Sequence, residues 1–385
     1  MKNNEKIKVI PVYLPQFHTI PENDEWWGKG FTEWVNVKNA IPLFKGHNQP
    51  RVPLNHNYYD LSDIESLRWQ CKIAREHGIY GFAMYHYWFN GHKLLEKPME
   101  MLRDTPDIDI NYCISWANHD WNDSWKATAG NVRTLIAHDF DDESDWVEHF
   151  NYMLTFFKDS RYMKEEGMPL LIIYVPQLIE KLNKMLDLWT EMAKKAGFPG
   201  IKYIYQSVTA CMDNSWDRSR FSYGVQFHPG YVQYITGSAL KRVWFTNVVK
   251  YSRKIKGFLG IKRGLSLNLD KKEVRKVDYD DDWKKVLSLK PELPNMIPSA
   301  MVDWDNTPRR KTSGWCYVGQ SAEKFRKYFK ELLKKTINEY KTDKIFVFAW
   351  NEWAEGGYLE PDEKNGFAYL DAIRDELEEI ERSEK

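Results

Sequence analysis

The run Lys344-Ile-Phe-Val-Phe-Ala-Trp350 is short, almost wholly apolar, and rich in β-branched and aromatic residues. Its apolar residues are nearly continuous rather than alternating, which is typical of a parallel strand covered on both faces. Similar runs predict further strands at residues 8–13, 79–85, 110–116, 170–175, 202–206, 223–227 and 296–302. The chain therefore contains the strands of a large, mostly parallel sheet.

Helical patterns lie between most of these strands, at residues 62–77, 142–157, 178–196, 245–256, 321–340 and 365–380. The first has Ser62 as its predicted N-cap, Glu65 three residues later, and Gly78 as its stop. Eight strands alternating with helices predict an α/β fold, a (β/α)8 TIM barrel, with a doubly wound open sheet as the alternative. We find no internal repeat or linker, and we expect a single domain over residues 1–385 with a long first βα loop at 14–60.

The composition argues against several classes of protein. Lys+Arg and Asp+Glu both number 55, so no basic excess marks a nucleic-acid binder. No apolar run reaches the roughly 18 residues of a membrane span, and no secretory h-region precedes the first strand, so we expect a cytoplasmic protein. The four cysteines are far apart, and no GxGxxG turn, GxxxxGK[ST] or HExxH motif occurs, so we expect neither a metal nor a cofactor.

Aromatic residues make up 15% of the chain, and many adjoin Asn, Asp, Glu, His or Gln, as in Asp120-Trp121-Asn122. One interpretation is core filling, because aromatic side chains bury large areas. The other is a carbohydrate site, because a sugar ring has an apolar C–H face and a rim of hydroxyl groups. The mixture of stacking and hydrogen-bonding groups favours the carbohydrate site.

These polar and aromatic residues concentrate where the predicted strands end. In a barrel the carboxyl ends of the strands meet on one face, which carries the active site. For one acidic residue near this face, Glu360, a structural role is the alternative to a substrate contact. We predict that substrate contacts come from this face and from the first loop, through Tyr13, Gln16, Glu33, Trp34, Tyr85, His86, Trp88, Trp116, Asn118, Gln206, Gln226, Asp303, Trp304, Asn351, Trp353 and Glu360.

Glu352 and Glu355 stand three residues apart, beside tryptophans and a Gly356-Gly357 pair that we interpret as flexible. Two carboxylates crowded in a dry aromatic pocket repel each other, so the pKa of at least one rises. One can then donate a proton while the other stays ionised, which glycoside hydrolysis requires. We predict that both are catalytic, and a pair of surface glutamates is the alternative.

Three charged segments favour other functions more weakly. Asp303-Trp-Asp305 has the DxD form with which many glycosyltransferases hold a metal–nucleotide. Asp278-Tyr-Asp-Asp-Asp282 lacks the spacing of a calcium loop and is better explained as a helix N-terminus. Residues 241–276 carry 12 Lys/Arg against Asp270 and Glu273, a local charge of +10. That segment predicts either a solvated surface or a contact for an acidic glycan or an anionic membrane.

Six motifs are distributed along nearly the whole chain, at residues 13–18, 23–34, 81–90, 115–118, 303–309 and 350–356. They include Tyr13-Leu-Pro-Gln-Phe-His18 and Asp303-Trp-Asp-Asn-Thr-Pro-Arg309. Together they resemble the WbsX-like proteins, which are glycoside hydrolase family 99-like domains often linked to surface-polysaccharide gene clusters.

The resemblance implies a (β/α)8 fold related to the retaining endo-α-mannosidases of family 99, whose last barrel loop carries Glu-Trp-His-Glu. Glu352-Trp-Ala-Glu355 matches this motif except at Ala354. Carried over, Glu352 deprotonates the substrate's own 2-hydroxyl, which attacks the anomeric carbon to give a 1,2-anhydro sugar. Glu355 acts first as general acid and then as base. The resemblance thus implies a metal-independent retaining glycoside hydrolase that acts on a surface poly- or oligosaccharide.

Two alternatives stay open. A glycosyltransferase or transglycosylase in lipopolysaccharide O-antigen assembly predicts binding of nucleotide sugars and metal dependence through Asp303 and Asp305. A catalytically silent glycan-binding protein predicts oligosaccharide binding without turnover. All three hypotheses share a saccharide as the partner.

Overall fold

The computed structural model describes residues 6–123, 132–207, 216–237, 263–264 and 273–383. Within these residues nine parallel strands form a nearly closed barrel, which confirms the predicted α/β barrel class. In chain order the strands are β1 (Lys8–Tyr13), β2 (Gly81–Phe89), β3 (Asn111–Trp116), β4 (Met168–Ile173), β5 (Lys202–Gln206), β6 (Phe221–Val225), β7 (Met296–Ile297), β8 (Ser299–Met301) and β9 (Lys344–Phe348).

The ninth strand arises because Pro298 divides one passage of the chain into β7 and β8. Proline has no backbone N–H and interrupts the hydrogen-bond ladder. The passage still bonds to both of its neighbours: the Gln226 N–H donates to the Ile297 carbonyl at 3.0 Å, and the Phe346 N–H donates to the Pro298 carbonyl at 3.1 Å. The barrel therefore has the eight chain passages that the sequence predicts.

Helices cover the outside of the barrel. Trp189, for example, is fully buried and its ring lies 5.8 Å from that of Trp116 on β3. The helices are α1 (Pro21–Trp27), α2 (Glu33–Lys38), α3 (Ile64–Glu76), α4 (Lys97–Asp104), α5 (Glu143–Phe157), α6 (Leu182–Lys195), α7 (Gly230–Ile235), α8 (Tyr279–Ser288), α9 (Thr307–Arg310), α10 (Ala322–Lys335) and α11 (Ala368–Ser383).

Several helix ends differ from the predicted ones. Asp63, not Ser62, caps α3, because its carboxylate accepts the Glu65 N–H at 3.0 Å. A separate 3-10 turn at Pro176–Leu178 delays the start of α6, and a π-helical turn at Thr336–Tyr340 follows α10. Asp278 caps α8, as its acidic run predicts. The helix predicted at 245–256 lies outside the described residues.

The long first connection, between β1 and α3, contributes α1 and α2 to the carboxyl-end face. Short strands also lie at that face, since Trp121, Asn122 and Leu135 line its pocket. Trp121–Asn122 pairs with Val132–Ile136, which also pairs with Arg263–Gly264. Most of the basic 241–276 segment and Cys211 lie outside the described residues; Cys71, Cys113 and Cys316 are buried and unbridged. None of the helices in the described ranges has both the length and the apolar composition needed to traverse a lipid bilayer.

Candidate active site

Glu352 and Glu355 lie on a tight hairpin that follows β9. Asn351–Glu352 pairs antiparallel with Gly357–Tyr358, and Trp353–Glu355 forms a single 3-10 turn between them. Glu352 ends the first strand of the hairpin and Glu355 ends the turn, and Arg309 contacts both carboxylates. Both line one pocket at the carboxyl ends of the barrel strands.

The glycine pair of this hairpin is required by close packing. Gly356 ends the 3-10 turn with φ 72°, and a Cβ on it would lie 2.7 Å from the Asp305 backbone nitrogen. A Cβ on Gly357 would collide with the ring of Phe348. These contacts explain the two glycines by close packing: they let the hairpin that carries Glu352 and Glu355 lie directly against its neighbours.

Arg309, on α9, connects three glutamates. Its Nη1 lies 2.6 Å from Oε1 of Glu355, and its Nη2 lies 3.5 Å from Oε2 of Glu352. On the other edge of the guanidinium, Nη2 and Nε lie 3.1 and 3.2 Å from Oε2 of Glu33. One cation thus serves three carboxylates, and the group has excess negative charge if all three are ionised.

The two hairpin carboxylates have different environments. Burial and repulsion from Glu355 raise the pKa of Glu352 well above its usual range, and Arg309 opposes this only in part. The side chain of Glu352 is 7% exposed, whereas that of Glu355 is 23% exposed and makes the shortest contact with Arg309. The free protein therefore favours a proton on Glu352 and an ion pair between Glu355 and Arg309.

A pocket of about 390 Å³ opens in front of this pair, within the size range of small-molecule sites. Of the residues predicted from the sequence, Gln16, Tyr85, Trp304, Glu352 and Glu355 line it. The other lining residues, mainly aromatic and apolar, are Leu14, Trp27, Tyr87, Ala117, His119, Asp120, Trp121, Asn122, Leu135, Tyr174, Phe227, Pro229, Gly230, Arg309 and Phe348.

His86, Trp88 and Trp116 face the helical layer instead of the pocket. The Nε2 atoms of His86 and His149 are hydrogen bonded at 2.9 Å, Trp88 stacks on His149 at 4.7 Å, and Trp116 meets the same imidazole edge-on at 4.7 Å. Side chains alternate along a strand, so Tyr85 and Tyr87 point into the barrel mouth while their neighbours point away. This placement does not support the predicted sugar contacts of these three residues.

Other predicted contact residues hold the loops in place. The Tyr13 hydroxyl donates to Gln70 on α3 at 2.7 Å, and the Tyr340 hydroxyl donates to Gln226 at 2.6 Å. Asn118 and Asn351 bind backbone groups of Val175 and Leu14 through both amide atoms, and Gln206 is buried away from the pocket lining. These amides and hydroxyls are occupied or enclosed, which does not support direct contact with a sugar.

Trp34, Trp353 and Glu360 form a buried group behind the hairpin. The Trp34 and Trp353 rings lie 5.4 Å apart, and the Trp353 indole donates to Glu360 at 2.6 Å. Glu360 also accepts bonds from Tyr59 and Gln70, yet burial raises its pKa to about 7. The three residues support the hairpin, and the structural alternative for Glu360 is the one that this geometry favours.

Asp303 and Asp305 lie outside the pocket lining as well, in a closed polar cluster. Arg51 Nη2 is 2.7 Å from Asp303, and Asp305 Oδ2 accepts bonds from His47 at 2.8 Å and Gln49 at 2.7 Å. This placement does not support a role for the DxD motif in holding a nucleotide in the pocket.

His47, Asp305 and Cys316 also bring potential metal-ligand atoms within 4.8 Å of one another. The Leu43 N–H donates to His47 Nδ1 at 3.1 Å, so Nδ1 accepts and Nε2 carries the proton that it donates to Asp305. A metal would need the Nε2 lone pair instead. The hydrogen bonds therefore favour a polar cluster without a metal.

Several residues of this site have no predicted role from the sequence. Tyr87 could have been found from its spacing of two residues from Tyr85, which places both on one face of β2. Tyr174 and Phe227 lie at or near the ends of predicted strands. Arg309 lies within a recognised motif, but its contact with Glu33 depends on the first loop folding over the barrel.

Comparisons with known proteins identify the family of this chain. Residues 9–373 match the family model described as Glycosyltransferase WbsX. The chain belongs to the WbsX family. It is 31% identical over 371 residues to WxcX of Xanthomonas campestris pv. campestris strain B100, which covers 96% of this chain and 49% of WxcX. The chain thus spans about half the length of the curated relatives it matches.

Solved structures similar to this member of the WbsX family share its fold. A glycoside hydrolase-like protein superposes with a TM-score of 0.55 at 12% identity, covering 98% of this chain and 95% of its own. A GH99 endo-α-mannosidase from Bacteroides thetaiotaomicron superposes with a TM-score of 0.52 at 13% identity, covering 97% of this chain and 98% of its own. These likenesses establish a barrel of the GH99 type.

Proposed function

We propose that this protein is a retaining glycoside hydrolase that acts on a surface poly- or oligosaccharide, with Glu352 and Glu355 as its catalytic residues. The observation that carries the proposal is the projection of two carboxylates with different environments into one aromatic pocket. Glycoside hydrolysis uses such a pair, one to donate a proton and one to act as the ionised partner. WbsX family membership and the GH99-like barrel support the assignment.

In the first proposed step, Glu352 removes the proton of the substrate 2-hydroxyl, and that oxygen attacks the anomeric carbon. The bond from the anomeric carbon to the leaving oxygen breaks, and Glu355 donates a proton to that oxygen. In the second step, water attacks the anomeric carbon of the 1,2-anhydro sugar. Glu355 takes the proton of water, and the 2-oxygen regains its proton from Glu352. Both glutamates return to their starting states, so no metal or cofactor is needed.

These roles require a rearrangement of the proton of the pair. The free protein favours a proton on Glu352, whereas the first step needs an ionised Glu352 and a protonated Glu355. The two carboxyls are close enough to repel each other, so one shared proton can move between them when the environment changes. We expect a sugar that fills the pocket to separate Glu355 from Arg309 and to hydrogen bond to Glu352.

The test is hydrolysis of a panel of aryl glycosides and bacterial polysaccharides by the wild type, Glu352→Gln and Glu355→Gln. Removal of an acid–base group lowers the rate by about 10²–10⁴-fold. Glu165→Gln is the matched control, because Glu165 is also ion-paired but precedes β4 at the opposite end of the barrel. An inactive wild type, or a Glu355→Gln variant as active as the control, would overturn the proposal. Binding without turnover would instead identify a silent glycan-binding protein.

Glycosyl transfer is the second candidate, and the family description favours it. Trp27 and Trp121 also line the pocket, and an acceptor sugar that takes the place of water could stack on them. The same two-step chemistry would then pass the glycosyl group to a hydroxyl of that acceptor. Mass spectrometry of the products with and without added oligosaccharide separates the candidates: only transfer yields lengthened saccharides.

A further inference from the structure

Glu33 is the part of the long first connection that reaches the catalytic group. It begins α2, its backbone N–H donates to the Gln16 carbonyl at 3.0 Å, and its side chain is fully buried. Its Oε1 has no hydrogen-bond partner among the described residues, while Oε2 faces Arg309 and, at 3.5 Å, the Asn36 amide. A buried carboxylate needs compensation for its charge: burial raises the pKa of Glu33, and the charge and hydrogen bond of Arg309 oppose that rise.

Glu33 and Glu352 approach the same nitrogen of Arg309, which carries two hydrogens. Nη2 is 3.1 Å from Glu33 and 3.5 Å from Glu352, so the contact with Glu33 is the shorter of the two. Glu33 also accepts from Nε at 3.2 Å, and these two contacts on one edge orient the guanidinium plane. The remaining Nη1 then points at Glu355, 2.6 Å away.

We propose that Glu33 is a positioning residue: it fixes the Arg309 guanidinium so that Nη1 faces Glu355, and it limits the positive charge that reaches Glu352. This inference rests on the proposed function for its catalytic meaning. It gives the first loop a role in the acid–base chemistry, beyond covering the pocket.

Among the titratable groups near Arg309, the three carboxyls decide how its positive charge is shared. Tyr85 and Tyr87 of β2 face the cluster, and burial raises the pKa of both phenols well above their ordinary value, so they stay neutral. Without the charge of Glu33, Arg309 would be balanced by Glu355 and free to stabilise an ionised Glu352. Glu352 should then release its proton at a lower pH.

The direct experiment is a carbon-13 NMR titration of glutamate-labelled protein, in which the missing signal of Glu352→Gln identifies Glu352. In Glu33→Gln we expect the titration of Glu352 to move down by about one pH unit or more. Asn36→Ala is the control, since it removes the 3.5 Å contact but keeps the charge of Glu33. A folded Glu33→Gln protein with an unchanged Glu352 titration would overturn the proposal.

Arg309→Lys tests the same arrangement if Glu33→Gln does not fold. A lysine keeps the charge but cannot contact all three carboxylates, so we expect Glu352 to retain its proton to higher pH than in the wild type. No change in that titration would count against the proposal.

Kinetics then separate this inference from the proposed function. In an active enzyme, Glu33→Gln should shift the acidic limb of the pH–rate profile to lower pH, whereas a merely structural loop residue would lower the rate equally at all pH values. If the NMR titration shifts but the wild type cleaves nothing, the positioning role stands and the hydrolase proposal fails.

Discussion

Two loops at the carboxyl ends of adjacent barrel strands combine arginine with carboxylates, yet the pKa of the buried carboxyl is raised in one and lowered in the other. After β9, Glu352 and Glu355 share Arg309 with Glu33 beside an open pocket. After β8, Asp305 is closed off from solvent, with its side chain 2% exposed. Burial alone would raise the pKa of Asp305, but the His47 hydrogen bond and the charge of Arg51 hold it at about 2.

The difference lies in the number of donors that each carboxylate receives. Both oxygens of Asp305 are bonded, Oδ2 by His47 and Gln49 and Oδ1 by the backbone and hydroxyl of Thr307. Glu352 has one long contact, the 3.5 Å approach of Arg309. An arginine nearby is therefore not enough to fix a carboxylate in its charged form. The loop of Asp305, whose carboxylate is fully hydrogen bonded, has a structural role. The carboxyl of Glu352, with its single long contact, can exchange a proton.

The largest expected effect comes from Arg51→Met, which removes the cation of the Asp303–Asp305 cluster. This change leaves Asp303 and Asp305 buried without their cation and removes the bond to the Gly356 carbonyl. Loss of one partner of a buried pair costs about 3–5 kcal/mol. The free energy of unfolding in urea measures it.

Arg382→Met serves as the control for that measurement, because Arg382 pairs with Glu378 at 2.7 Å on the surface. Removing an exposed pair costs at most about 1 kcal/mol. Equal losses in the two variants would show that the Asp303–Asp305 cluster is no more important than a surface pair.

Gly356→Ala should have a smaller effect, at the point where the two loops touch. The Asp305 N–H donates to the Glu355 carbonyl at 2.6 Å, and an added Cβ would press on that nitrogen. A strained left-handed residue costs about 1–3 kcal/mol, and we expect activity to fall as well because Glu355 moves. Unfolding and hydrolysis assays on the same sample measure both changes.

Gly30→Ala isolates the effect of that contact. Gly30 has a similar φ of 80°, but nothing lies within 4 Å of its Cβ position. It therefore carries the conformational cost without the collision. If both variants lose the same stability and activity, the close approach of the two loops has no functional importance.

The sequence predicts the barrel better than it predicts the site. Apolar runs identify buried strands reliably, and the predicted bounds of β1 and β5 coincide with the observed ones. The same runs hide which face is inner, because a strand covered on both sides has no polar alternation. This is why His86 and Trp88 were assigned to the pocket in place of Tyr87.

Local geometry made the proximity of Glu352 and Glu355 predictable, whereas long-range packing hid their partners. The two glutamates converge because one short hairpin holds them three residues apart. Arg309 and Glu33 join them from α9 and α2, 276 residues apart in the chain. No motif spacing contains that contact, since it exists only after the first loop folds over the barrel mouth.

The smallest expected effect is a gain in stability from Glu352→Gln. The pKa of Glu352 is raised in the folded state, so above the ordinary value of 4.5 the folded protein holds a proton that the unfolded chain releases. Wild-type stability therefore falls as pH rises above that value. A neutral glutamine removes this decline, offset in part by the lost contact with Arg309.

We expect urea unfolding at several pH values to show Glu352→Gln equal to the wild type at acidic pH and more stable at neutral pH. Glu165→Gln should behave in the opposite way. Although burial opposes it, hydrogen bonds from Lys344 and Tyr223 lower the pKa of Glu165, so its charge stabilises the fold above pH 4.5. If Glu352→Gln loses stability with rising pH as the wild type does, the carboxyl with the raised pKa is another member of the cluster. The contrast between the two loops would then rest on their solvent exposure instead of their charge.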